Sequence, residues 1–315
     1  MSKERSMTVT LRHRAALGIA AALAFIAISV PVAAQDRLSV VSVNYPLHYL
    51  TSRIGGDLIE ASMPFPADID PAFWQPTAEE VARIQQADLI LRNGAGYAKW
   101  ARLAALPRRK MVDTSASFRD RFIATPSRVT HQHGPEGEHA HGAVAFTTWL
   151  DPTQALAQAD AIRRALVRRL PAQQAAIDAN FSRVKSDLAE LDTLFEGAFA
   201  SAVGGPLLAS HPIYQYLGRR YGLEILSFLW EPDEAPPEDD WSSLQRVAKS
   251  RGIRFMLWEG EPEAETRRRL RALGIRVVVF EPAMNAPANG DFLSVMQRNA
   301  ENVRRGLKQP DQERR

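Results

Sequence analysis

Apolar side chains recur without a break at three- and four-residue steps from Ile177 through Phe181, Val184, Leu188, Leu191 and Phe195 to Phe199. That spacing lays one continuous stripe along a helix, and Pro171 marks where the preceding helix must break. At ~1.5 Å per residue the helix from Ala172 to Phe199 spans on the order of 40 Å, the width of a whole domain. A helix of that length predicts a spine joining two lobes. It also predicts modest lobe motion rather than wide hinge closure.

Both flanks of the spine alternate strand and helix. Strands are expected at Leu38–Val43, Ile59–Pro64, Asp88–Leu91 and Met111–Asp113, then at Pro206–Ala209, Leu223–Leu229, Ile253–Trp258 and Val277–Phe280. Helices are expected between them, among them Tyr97–Leu106 and Ser242–Arg251. Thr77 with Glu80 forms a capping box, and Asp151-Pro152 is an N-cap followed by proline in the first turn. Strands alternating with helices imply parallel sheets covered on both faces. The expected fold is therefore α/β, with two lobes that each hold a mainly parallel sheet flanked by helices. The N-terminal lobe covers 35–170, the linking helix 171–200, the C-terminal lobe 201–308, and a charged, disordered tail 309–315.

The first residues read as a secretory leader, 1–34. Lys3, Arg5, Arg12 and Arg14 precede an apolar stretch from Ala15 to Val30, and Val32-Ala33-Ala34 supplies small residues for cleavage. The expected location is the periplasm. The chain carries a net charge of +3, and the leader alone carries as much, so the mature chain is near neutral and gives no nucleic-acid signal. With no cysteine in the sequence, disulfides and thiolate metal sites are excluded, and any metal site must use histidine and carboxylate.

Four of the seven histidines fall in one stretch, His131-Gln-His133-Gly-Pro-Glu-Gly-Glu-His139-Ala-His141. Glycine and proline break any regular backbone there, and the segment from about 117 to 143 reads as irregular. Clustered imidazoles, the commonest protein ligands of zinc, make it a metal-collecting loop by composition; a solvated linker is the plain alternative.

In open parallel sheets, ligands bind beyond the carboxyl ends of strands. This singles out the loop from Asp68 to Thr77, the stretch Phe146–Asp151, His211 after Leu207-Leu208-Ala209, and Glu281 after Val277–Phe280. His211 is the strongest single ligand candidate and Glu281 a carboxylate candidate. Each has a structural alternative, a helix-capping histidine and a first-turn helix charge. Glu231, Asp233, Glu234, Glu259 and Glu261 read as a solvated acidic rim. His48 reads as a packed or half-exposed histidine. Gly94-Ala-Gly96 lacks the third glycine of a nucleotide fingerprint, and no nucleophile elbow is present. No enzyme is expected.

Taken together, Val40–Leu50, Arg53-Ile-Gly-Gly-Asp57, Asp70-Pro71 with Gln75-Pro-Thr77, Ala87–Tyr97, Trp149–Pro152, Ser210-His211 with Tyr216-Leu217 and Arg220–Leu223, Glu231-Pro232, and Glu281-Pro282 with Met296 and Asn299 resemble the periplasmic solute-binding proteins of zinc and manganese ABC importers, especially the zinc-uptake type. The resemblance covers nearly all of the mature chain. It implies one divalent metal held between two lobes by three histidines and a carboxylate. Here Ala72 and Thr147 stand at the first two histidine positions, while His211 and Glu281 fall at the third and at the carboxylate position. One histidine and one carboxylate leave a zinc site incomplete.

Three arrangements follow. The loop histidines His131, His133, His139 and His141 fold over the cleft and complete it. Alternatively, the loop binds metal by itself beside a vestigial cleft. In the third arrangement the cleft takes another cargo, such as a metal chelate, lined by Phe73, Trp74, Trp149 and Trp258; core packing is the competing role for these aromatics. The expected function is capture of a divalent metal, zinc first and manganese or another ion next, by a monomer that delivers it to an ABC permease. The alternatives are a chelate- or small-molecule-binding protein and a periplasmic metallochaperone or metal buffer.

Overall fold

Two four-stranded parallel sheets organise the chain. In the first, β1 (Leu38–Ser42), β2 (Ile59–Ser62), β3 (Leu89–Arg92) and β4 (Met111–Asp113) lie in the order β2-β1-β3-β4. In the second, β7 (Leu207–Ala209), β8 (Ile225–Ser227), β9 (Phe255–Trp258) and β10 (Arg276–Val279) lie in the order β10-β9-β7-β8. The computed structural model describes residues 37–67, 69–125, 130–132, 138–140, 144–202, 205–231 and 234–307. The segments expected to be a leader and a C-terminal tail lie outside them. Among the described residues no helix is long and apolar enough to cross a membrane.

Both sheets have the same switch in strand order. The chain moves outward to one side of a central strand and then returns to its other side, so each sheet has a crevice at the carboxyl ends, between β1 and β3 in one and β7 and β9 in the other. Ligands gather at such points.

The spine is α5 (Gln174–Phe199), preceded by a single 3-10 turn at Pro171–Gln173. It packs on α4 (Pro152–Arg169), on α1 (Tyr45–Gly55) and on α9 (Phe292–Leu307). Its buried stripe is Ile177, Val184, Leu188, Leu191, Phe195 and Phe199, as the spacing predicts, with Phe181 half-buried. Phe195 and Phe199 meet Tyr221 and Phe280 of the second lobe. One apolar core therefore runs through the spine into both sheets. A second core lies under α7 (Glu238–Arg251), where Trp230, Trp241, Leu244, Met256, Trp258 and Leu270 pack together.

The local stop and start signals hold. Thr77 and Glu80 form the full capping box of α2 (Ala78–Gln86), and Asp151 caps α4 by accepting from the Thr153 amide at 2.9 Å. Three expectations change. α7 begins at Glu238, before Ser242, because Glu238, Asp239 and Asp240 fill a first turn where the helix dipole favours acids. α3 shrinks to Trp100–Leu103 because Gly94, Ala95, Gly96 and Ala98 all take positive φ and cannot continue a right-handed helix. The histidine-rich segment is not irregular throughout: β5 (Thr130–Gln132) and β6 (Glu138–Ala140) form an antiparallel ribbon that pairs His131 with His139. A two-stranded ribbon can close on backbone hydrogen bonds without the apolar alternation sought in the sequence. His133 and His141 lie outside the described residues.

Candidate metal centre between the sheets

His211 leaves the end of β7 at the crevice between β7 and β9. The segment is tied on both sides: the Ser210 amide donates to the Leu257 carbonyl at 2.9 Å, and the Trp230 amide donates to the Ser210 carbonyl at 2.8 Å. The imidazole is 6% exposed. Its Nδ1 stands 3.3 Å from Glu231 Oε1 and 3.5 Å from Glu259 Oε1.

Glu231 and Glu259 depart from the reading of the acidic residues as a solvated rim, while Glu234 and Glu261 are exposed as expected and Asp233 lies outside the described residues. Glu259 follows β9 directly and has only 9% of its side chain exposed; Glu231 has 22%. Burial pushes the Glu259 carboxyl up to about 7, helped by the charges of Glu231 and Asp70 and opposed by His211. Burial alone would lower His211, but the hydrogen bond its imidazole donates to Glu231 and the charges of Glu259, Glu231 and Asp70 outweigh it and raise the imidazole. The cluster therefore holds protons near neutral pH that a metal ion would displace.

Asp70 brings the first lobe to this cluster. Its Oδ1 accepts from the Ala72 amide at 2.8 Å, and its carbonyl accepts from Phe73 and Trp74 at 3.1 Å each. The loop before it is clasped by Asn285, whose side-chain amide donates to the carbonyls of Pro66 and Ala67 at 3.0 Å and of Ile69 at 2.8 Å. Thr147, at the second histidine position of the resemblance, is fully buried and donates its hydroxyl to the Ile213 carbonyl. That bond ties the Thr147 segment to the one that follows His211. Tyr216 adds another, donating to the Ala145 carbonyl at 2.9 Å.

The segment holding Thr147 rests on a buried polar network. Asn93 Nδ2 donates to the Phe146 carbonyl at 2.8 Å, while Asn93 Oδ1 accepts from Asn44 at 3.2 Å and from Gln158 at 3.1 Å. Gly94 follows at φ 78°, where an added Cβ would lie 1.7 Å from Ser115 Oγ and 2.6 Å from Asp113 Oδ1. Gly94→Ala is expected to destabilise the protein by about 1–3 kcal/mol through strain and overpacking, read as a lower urea midpoint.

The predicted site residues separate. Glu281 sits after β10, two strands from His211, and its carboxylate pairs with Arg298 at 3.2 Å. Asn299 pins its backbone from both sides, at 3.0 and 2.7 Å. Among the described residues, no three histidine or acidic side chains form a ready-made metal-holding group. The aromatic lining expected for a chelate is also absent from the described cleft: Trp74, Trp149 and Trp258 are buried in the cores, with Trp149 Nε1 donating to the Pro282 carbonyl at 2.8 Å. Phe73 is half-buried against the same core. His48 is partly buried, as expected.

Comparison with known proteins fits this frame. The sequence model of the family described as "Zinc-uptake complex component A periplasmic" matches residues 40–306. The chain belongs to this family. It is 24% identical over 289 residues to the zinc-binding lipoprotein AdcA of Streptococcus pneumoniae, an alignment covering 88% of this chain and 57% of AdcA. The chain thus spans little more than half the length of that relative. It is 26% identical over 234 residues to the high-affinity zinc uptake system protein ZnuA of Bacillus subtilis, covering 71% of each. The Zn(II)-bound ZnuA-like domain of S. pneumoniae AdcA superposes with a TM-score of 0.73 at 20% identity, covering 87% of this chain and all of that one, which shows the shared fold. In this chain His211 is backed by Glu231 and Glu259.

Proposed function

We propose that the chain is a periplasmic solute-binding protein that captures a divalent metal, zinc first, and delivers it to an ABC permease. The observation that carries this reading is His211, buried at a topological switch point with its Nδ1 facing two carboxylates. A ligating histidine is characteristically oriented this way, one ring nitrogen on a carboxylate and the other on the metal. In this reading Nε2 ligates zinc, and Glu231 and Glu259 orient the ring.

Further donors come from the histidine-rich segment, His131, His133, His139 and His141. Glu281 joins when it exchanges Arg298 for the ion. The lobes keep the bounds 35–170 and 201–308, and the linking helix limits their movement. Manganese and other first-row ions compete for an imidazole–carboxylate set according to their general affinity order. Family membership and the zinc named for AdcA and ZnuA support zinc.

Calorimetry on the protein lacking residues 1–34 tests this. One-to-one zinc binding is expected, with heats that vary with buffer ionisation enthalpy because bound protons leave, and with affinity rising from pH 6 to pH 8. Deletion of residues 131–141 is expected to weaken binding without abolishing it. If binding disappears with the deletion yet survives His211→Ala, the protein is a metal buffer and the cleft reading fails.

A further inference from the structure

Tyr97 carries a hydroxyl that the fold does not use. The residue is 6% exposed, and its Oη has no hydrogen-bond partner among the described residues. Its ring packs edge-on against Phe146 at 5.3 Å and Trp149 at 5.6 Å between centroids, contacts that phenylalanine would make equally well. A buried polar atom without a partner is a liability to the fold, and a bound ion or water is one way to satisfy it.

The backbone around Tyr97 shows a second cost. Ala95 at φ 50° and Ala98 at φ 51° flank it in the left-handed region that residues with a Cβ avoid. Backbone strain of this kind gathers at ligand-binding segments. The loop belongs to the crevice between β1 and β3, the counterpart of the crevice that holds His211. Asp70 acts electrostatically on Tyr97, His211 and Glu259 alike, and Phe146, against the Tyr97 ring, precedes Thr147, whose hydroxyl bonds the Ile213 carbonyl two residues beyond His211. Burial and Asp70 raise the phenol well above its ordinary range, which keeps it an O–H donor.

Resting on the zinc-capture reading, we infer that Tyr97 is a cargo-contacting residue whose phenol donates a hydrogen bond to a water bound to the captured ion. Ala72 offers no ligand, and an ion short of protein donors keeps water in its coordination shell. A buried water needs two to four polar partners, and Tyr97 as donor with Asp70 as acceptor supplies two. No bond is made or broken; the cargo satisfies a hydroxyl that folding left alone.

Tyr97→Phe makes opposite predictions for folding and binding. Without metal, the variant should melt at the same temperature as the parent or higher, because it loses only an unsatisfied hydroxyl. Its zinc affinity by calorimetry should fall about tenfold, the loss of one hydrogen bond to a charged group. Unchanged zinc affinity overturns the inference, as does a lowered melting temperature, which would reveal a structural partner for the hydroxyl. Cobalt substitution adds a spectroscopic arm: a phenolate charge-transfer band in the parent that the variant lacks would mean direct coordination and overturn the water-mediated role. Failure of the parent to bind zinc removes the capture reading itself, an outcome distinct from a parent that binds and a variant that binds equally.

Discussion

His211→Ala is expected to weaken zinc capture by roughly a hundredfold or more, beyond the ~10–100-fold that loss of an orienting partner costs. The substitution does two things at once. It deletes the cleft histidine that follows β7, and it leaves Glu231 and Glu259 facing each other without the imidazole between them. The second effect raises the cost of any charge left in the pocket, so an anion such as chloride cannot fill the gap. Folding should survive, because Ser210 and Trp230 hold the segment through backbone hydrogen bonds. Calorimetry with circular dichroism on the same sample checks both parts. Parent-like affinity in a folded His211→Ala protein would remove His211 from the site.

The second large effect is on the metal-free protein, whose stability should fall as pH rises through neutrality. Glu259 titrates at about 7 in the fold against a model-compound value of 4.5. Between those values the unfolded chain gives up a proton that the native state keeps, so unfolding becomes easier as pH rises. The loss is complete above pH 7 and amounts to about 3 kcal/mol. His211, also raised, contributes in the same direction: its stabilisation is full below the unfolded imidazole value and is lost as pH passes the folded one. The lowered carboxylates at Glu80, Asp178 and Glu238 act in the acid range instead. Urea unfolding in the presence of a chelator should therefore give a higher midpoint at pH 5.5 than at pH 8. Glu259→Gln should flatten the difference, while weakening zinc binding about 10–100-fold by loosening His211. A midpoint that rises from pH 5.5 to pH 8 in the parent would contradict the buried cluster.

The elements with local signatures were legible in the sequence. The spine, the capping box at Thr77 and the cap at Asp151 each rest on residues within a few positions of one another, and all appear in the structure. His211 was legible because an apolar strand ends directly before it. Glu259 had the same signal, following Phe255-Met-Leu-Trp258, but its neighbours Gly260 and Glu261 resemble a solvated turn. What buries Glu259 is its place beside β7, a pairing between strands far apart in sequence. Thr147 shows the same limit. That threonine stands where the resemblance implies a histidine was visible, but the bond to Ile213 that gives it a structural role depends on where the second lobe lies. The ribbon through His131 and His139 escaped because backbone pairing leaves no hydrophobic pattern. The loop around Tyr97 escaped because left-handed alanines have no compositional mark.

In the proposed function the captured ion sits on His211 between the sheets. Anomalous diffraction at the zinc edge, on crystals of the zinc-loaded protein lacking residues 1–34, tests it most directly. One strong peak is expected within bonding distance of His211 Nε2, with Glu231 and Glu259 behind the ring on Nδ1. A peak only on the histidines of residues 131–141, with none at His211, would contradict it.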